Sequence, residues 1–355
     1  MATREARRAA PAASDTGRYV TTPREDLVTV VLAALLIGGS LADAWAHSNL
    51  ASELETFFTP WHGLLYGGYA ATAAWTIWLG FRRRGTTPRW WRDGWPAGYA
   101  LGALGAVGFL AAGVGDMLWH TIFGVEVSLD AVLSPTHLLL VVNGTLLVTS
   151  PLRSWWANGT TRLRAPTGIA SLALGSIFGV LLLSHTTAFR STAATRVYDY
   201  ALGSPSHIDA SYGSARYLAT TLILLIPVLL VLRRRAVLGT ATAVLGAIFL
   251  FQLAQFNFPA TLTLAGVGAT LGAFAVDILA VRLDAIRGPE APLRLPIVGA
   301  LFGTLVWSGH LLGLAVAEGL RWPVELWTGN VVLAALAGAM IGLVATPPRE
   351  RVTAA

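Results

Sequence analysis

The chain is predicted to be an all-α polytopic membrane bundle, and three observations predict it. Of its 355 residues, 54% are hydrophobic and 12% charged, a balance suited to a bilayer solvent and not to a soluble globule. The apolar residues fall in runs of about 20, long enough to cross ~30 Å of hydrocarbon as helices. The 25 basic residues are all arginine, and they gather between alternate runs.

Ten such runs are expected, at 27–47, 61–81, 96–123, 135–152, 167–188, 215–232, 236–258, 259–281, 295–318 and 323–346. Short turns around Asn257-Phe258-Pro259 and Arg321-Trp322-Pro323 join two of the pairs, whereas 189–214 is a long polar connection. Residues 25–347 thus read as one ten-helix membrane domain. The flanking tails, 1–24 and 348–355, have the composition of disordered segments and no recognisable motif.

Arginine orients the runs. The N-terminal tail, the 82–94, 153–166 and 282–294 loops, Arg233-Arg234-Arg235 and the C-terminal tail hold 21 arginines; the opposite loops hold only Arg190, Arg196, Arg216 and Arg321. Under the positive-inside rule both termini are cytoplasmic and the chain is a multi-pass protein of the cell membrane. The net charge of +6 therefore records topology and attraction to anionic membrane lipid, and no nucleic-acid partner is implied. Absence of cysteine excludes disulfides and thiolate metal sites.

All seven histidines, His47, His62, His120, His137, His185, His207 and His310, fall near run ends on the arginine-poor side. They belong to a repeat. Asp43, His47, Glu53 and Thr59-Pro60-Trp61-His62 align with Asp116, His120, Glu126 and Ser134-Pro135-Thr136-His137. A third copy keeps His185 and Ser204-Pro205-Ser206-His207, and a fourth has Gln252, Gln255 and Asn257 without ionisable groups. A fifth has His310, Glu318 and Glu325. The expectation is five repeated helical hairpins of roughly 70 residues.

Residues four apart share a helix face, which sets Asp43 beneath His47 and Asp116 beneath His120. The next helix of each copy then brings a second histidine in its first turn, after a proline that fixes chain entry. Imidazole with carboxylate suits copper, iron, manganese or zinc, not an all-oxygen cage for magnesium or calcium. The expected metal ligands are Asp43, His47, His62, Asp116, His120 and His137, with His185, His207 and His310 as further candidates. Glu53 and Glu126 are expected to move protons. The competing reading of the Asp/His pairs is an interhelical hydrogen-bond lock; His62 and His137 also fit a place among the headgroups.

The Asp-x3-His element followed by another histidine, at Asp43/His47/His62 and Asp116/His120/His137, resembles the metal-binding element in the C subunit of particulate methane and ammonia monooxygenases. The similarity spans about 20 residues per copy; the gaps between histidines are longer here, and a fivefold hairpin arrangement is not that family's. It implies that such an element can hold copper at a membrane surface.

From these readings the expected function is an oxygen-activating oxidase or monooxygenase with copper or iron ahead of zinc, acting on an apolar small molecule or lipid-like substrate. A zinc hydrolase uses the same residue types, and an ion- or proton-coupled transporter or channel and a metal-binding assembly or scaffold protein are the alternatives outside catalysis. Remaining features read as structural. Asp277 is expected to pair with Arg282 or Arg287. Trp45, Trp61, Trp119, Trp322 and Trp327 suit one interfacial belt, and Trp90, Trp91, Trp95, Trp155 and Trp156 the other. Glycine spacings at Gly98-Gly102, Gly175-Gly179, Gly268-Gly272, Gly299-Gly303 and Gly338-Gly342 allow close helix packing within the chain, and do not fix an oligomeric state. Ala44-Trp45-Ala46 imitates a signal-peptidase site, but its apolar run exceeds a usual signal segment and an uncleaved first helix is expected.

Overall fold

The computed structural model describes residues 19–50, 57–124, 129–159 and 161–347. The protein is 79% helix, with no strand among the described residues. The α-helices are α1 Pro23–Asn49, α2 Pro60–Phe81, α3 Trp90–Asp93, α4 Ala100–Phe123, α5 Leu129–Leu133, α6 Pro135–Val148, α7 Ser150–Ala157, α8 Ala165–Leu181, α9 Pro205–Leu232, α10 Thr240–Gln255, α11 Ala260–Arg287, α12 Arg294–Glu318 and α13 Val324–Ala345.

Each of the ten expected runs contains an α-helix, but among the described residues seven helices, not ten, are individually long and apolar enough to span: α1, α4, α8 with its preceding turn, α9, α11, α12 and α13. The pair α6 and α7 qualifies as an eighth span bent by 40°. The bend follows from Pro151, which has no N–H to continue the ladder; Ser150 Oγ donates to the Leu147 carbonyl in its place, at 2.8 Å. With 16 residues α10 reaches only about 24 Å at 1.5 Å per residue. In α2 the length suffices, but histidine, tyrosines and glycines dilute its apolar character. Helix α1 continues unbroken through Ala44-Trp45-Ala46, with Ala46 fully buried.

Two compact units divide the chain. The first comprises residues up to Asp43, Leu54–Glu126 and Leu133–Gly175. Within it α4 packs along α6, and α2 contacts both. Tyr69 stacks on Phe109, 4.6 Å between centroids, and donates to the Ala106 carbonyl. Near the start of α1, buried Asp26 accepts from Thr21 at 2.7 Å, Tyr99 at 2.8 Å and Arg164 at 3.0 Å. That set satisfies a carboxylate whose burial would otherwise be strongly unfavourable.

The second unit comprises Ala44–Glu53, Val127–Val132 and residues from Ser176. There α12 packs between α11 and α13, with α9 against α13 and α10 against α11. At two crossings glycine faces glycine: a Cβ at Gly268 or Gly309 would strike the other's backbone, and Gly299 and Gly338 have the same relation. Such contact lets helix backbones approach where lipid supplies no hydrophobic drive for association.

Two structural expectations change. Asp277 does not pair with Arg282 or Arg287; it accepts from Ala241 N at 2.9 Å, Thr242 N at 3.0 Å and Thr242 Oγ1 at 2.7 Å. The carboxylate thus satisfies the open N–H groups starting α10 and meets the positive end of that helix. Trp155 and Trp322 are packed inside the protein, 2% and 5% exposed, and so do not present their rings to lipid.

Candidate metal centre

The site in the first unit is built by helix ends. At the start of α2, the Thr59 hydroxyl accepts from the His62 backbone N–H at 3.2 Å, and Pro60 occupies the first turn. At the start of α6, Ser134 accepts from His137 N at 3.3 Å, again before a proline. These are N-caps, and each fixes its histidine at the third helical position. The C-terminal turns of α4 carry Asp116 and His120, one turn apart, before Gly124 ends the helix with φ 84°. Asp43, in the last turns of α1, belongs to the same unit, whereas His47, four residues later on that helix, belongs to the second unit.

Asp116 is the hub. It is 1% exposed; one oxygen lies 3.6 Å from His120 Nε2, and the other 3.2 Å from His137 Nε2, where it also accepts from Thr136 Oγ1 at 2.8 Å. His62, Asp116 and His120, all buried, offer ligand atoms within 4.8 Å of one another. Asp43 Oδ1 lies 3.5 Å from His62 Nε2. Ring centroids of His120 are 6.0 Å from His62 and 5.7 Å from His137.

The imidazoles are held from behind. His120 Nδ1 lies 3.2 Å from the Gly124 carbonyl; a carbonyl only accepts, so Nδ1 carries the hydrogen. In the neutral ring, Nε2 is then a lone pair facing an Asp116 oxygen, two acceptors across 3.6 Å in a buried place. Such an arrangement calls for a cation between them, a metal ion or a proton. Anchoring one ring nitrogen while the other faces the site is how metal-binding histidines are oriented. Thr59 Oγ1 lies 3.1 Å from His62 Nδ1 in the same way. Carboxylate–imidazole spacings of 3.2–3.6 Å match the edge of a tetrahedron with bonds of about 2.1 Å, roughly 3.4 Å.

Phe57 stacks on His62 at 4.6 Å. Tyr66 lies beside both rings, 6.3 Å from His62 and 5.9 Å from Phe57 between centroids; its buried hydroxyl has no hydrogen-bond partner among the described residues. Tyr66 and Thr136 were not singled out in the sequence. The signals were present: Tyr66 is four residues after His62 and shares its face, and Thr136 sits inside the Ser-Pro-Thr-His turn. Nothing in the sequence pointed to Phe57.

The second unit treats its histidines differently. Ser204 caps α9 and accepts from His207 N at 3.2 Å, but His207 Nδ1 lies 3.1 Å from the Tyr198 hydroxyl. His310 is fully buried among Phe189, Tyr217 and Trp307, with Nδ1 3.0 Å from the Tyr217 hydroxyl. His185 stands in a 3-10 turn, Ser184–Thr186. None of the three joins a metal-type group of histidines and acids among the described residues. Glu318 accepts from Thr195 at 3.0 Å and from Thr261. Glu53 and Glu126 lie outside the described residues.

Comparison of the chain with protein-family models, curated proteins and solved structures returned no match.

Proposed function

We propose that the protein is an integral membrane metalloenzyme whose first unit holds copper or iron between His62, Asp116, His120 and His137, with Asp43 at its margin, and activates oxygen toward an apolar or lipid-like substrate. The observation that carries the metal assignment is the buried pair of acceptors, His120 Nε2 and Asp116, with two further imidazoles close by. Nitrogen and oxygen donors without sulfur suit either metal. When bound, such a metal supplies electron transfer to oxygen. The chain's own part is to fix the imidazoles through Thr59 and Gly124, to hold Asp116 through Thr136, and to exclude water with Phe57. Tyr66, with a buried hydroxyl free to donate, is the nearest candidate to supply a proton; Glu53 and Glu126 are the candidates from sequence. The reading includes ten spans as five hairpins, with both termini cytoplasmic and the site on the outer face.

The test is reconstitution of detergent-purified protein with copper, iron or zinc, followed by metal analysis and oxygen uptake in the presence of alkane or lipid together with a two-electron chemical reductant. Copper or iron bound with substrate-dependent oxygen uptake supports the proposal. Zinc bound with no oxygen chemistry would replace it by hydrolysis, and no bound metal would remove it.

A further inference from the structure

A second site, at the opposite end of α4, has the chemistry of a phosphate cradle. A cavity of about 430 Å³ is lined by Arg92, Asp93, Trp95, Gly98, Leu101 and Arg153, among others. All these residues belong to the first unit.

Arg153 gives the cavity its character. Its guanidinium donates from Nε to the Gly98 carbonyl at 2.9 Å, from Nη1 to Thr149 Oγ1 at 2.6 Å, and from Nη2 to the Leu146 carbonyl at 2.6 Å and Ser150 Oγ at 3.1 Å. Those four acceptors are neutral, and a guanidinium has five N–H groups; one remains, on Nη1. Among the described residues no carboxylate lies at ion-pair distance from it. The nearby acids are engaged elsewhere: Asp93 lies 3.8 Å from Arg92, and Asp26 is bound by Arg164. The lining thus holds two guanidinium groups against one carboxylate.

A half-buried arginine whose four bound N–H groups all meet neutral acceptors, without a counter-ion, beside a cavity of this size, calls for an anion. A phosphate meets the need with several acceptor oxygens. Trp95 belongs to a cluster with Trp90 and exposed Trp91, the type of side chain that sits at headgroup depth. We propose that this cavity binds a phosphate group, presented by an anionic phospholipid headgroup, through Arg153 and Arg92. Its occupancy is independent of the metal centre.

The test uses delipidated full-length protein in detergent, titrated with phosphatidylglycerol, diacylglycerol or inorganic phosphate, with binding read by native mass spectrometry and thermal melting. Wild type is expected to bind phosphatidylglycerol at least tenfold more tightly than diacylglycerol. Leu101→Trp, which fills the cavity from a half-exposed position, and Arg153→Gln should each lose that preference. Because Arg153 also ties the turn before α4 to α6 and α7, Leu101→Trp carries the test if Arg153→Gln fails to fold. Inorganic phosphate that displaces the lipid and stabilises the protein equally would keep the phosphate site but assign it to a free anion. Wild-type lipid preference in folded Leu101→Trp would overturn the proposal.

Discussion

The first unit's Ser134-Pro135-Thr136-His137 turn and the second unit's Ser204-Pro205-Ser206-His207 turn fold alike. In each, serine caps a helix, proline starts it, and histidine takes the third position. Their surroundings differ: His137 meets the buried carboxylate of Asp116, whereas His207 meets the Tyr198 hydroxyl. The same contrast separates His120 from His310. Four residues before His120 stands Asp116; four residues before His310 stands Val306, fully buried. A repeated turn therefore delivers His137 and His207 to the same helical position, and the Asp116 carboxylate of α4, one turn before His120, is what makes the surroundings of His137 and His120 a polar centre.

The largest expected effect breaks the first half of that comparison. Asp116→Ala should reduce bound metal to under a tenth of wild type by elemental analysis, since it removes the carboxylate shared by His120 and His137. His120→Ala should act in the same direction, and retention of full metal stoichiometry in a folded variant would make the cluster a hydrogen-bond lock. Metal should also dissociate as pH falls, because its ligands bind it deprotonated.

In the second unit the large effect is on packing. Gly309→Leu places a side chain against the Gly268 backbone and should destabilise by about 1–3 kcal/mol, the range for overpacking, with bound metal unchanged. A smaller loss, about 0.5–2 kcal/mol as for a lost helix cap, is expected for Asp277→Ala, read by denaturant or thermal unfolding. The smallest is His207→Ala, which removes the Tyr198 contact; about 0.5–1.5 kcal/mol is the scale for one hydrogen bond. Metal loss in this last variant would erase the distinction between the two turns.

Much of this was legible in the sequence because it is local. Run length and apolarity placed a helix in each expected segment, and Asp-x3-His together with the Pro-x-His turns placed Asp43, His62, Asp116, His120 and His137 at helix ends. What was not legible depends on partners distant in sequence. Asp277 had arginines nearby in sequence, yet the open N–H groups of α10, about 35 residues earlier, hold it. His185, His207 and His310 resembled the other histidines by spacing, but their neighbours are aromatic, hydroxylic or apolar. Pro151 lay at the end of the 135–152 run, and its missing N–H bends the chain into α7, which continues to Ala157 through what read as the start of a loop.

The central claim is that the carboxylate-bearing turn makes a metal centre. X-ray absorption spectroscopy on purified, copper- or iron-reconstituted protein tests it most directly. The account predicts a first shell of nitrogen and oxygen at about 2.0–2.2 Å, with imidazole outer-shell scattering and no sulfur, and loss of that signal in Asp116→Ala but not in His310→Leu. An identical spectrum in wild type and Asp116→Ala, or no metal retained by the wild type, would contradict it.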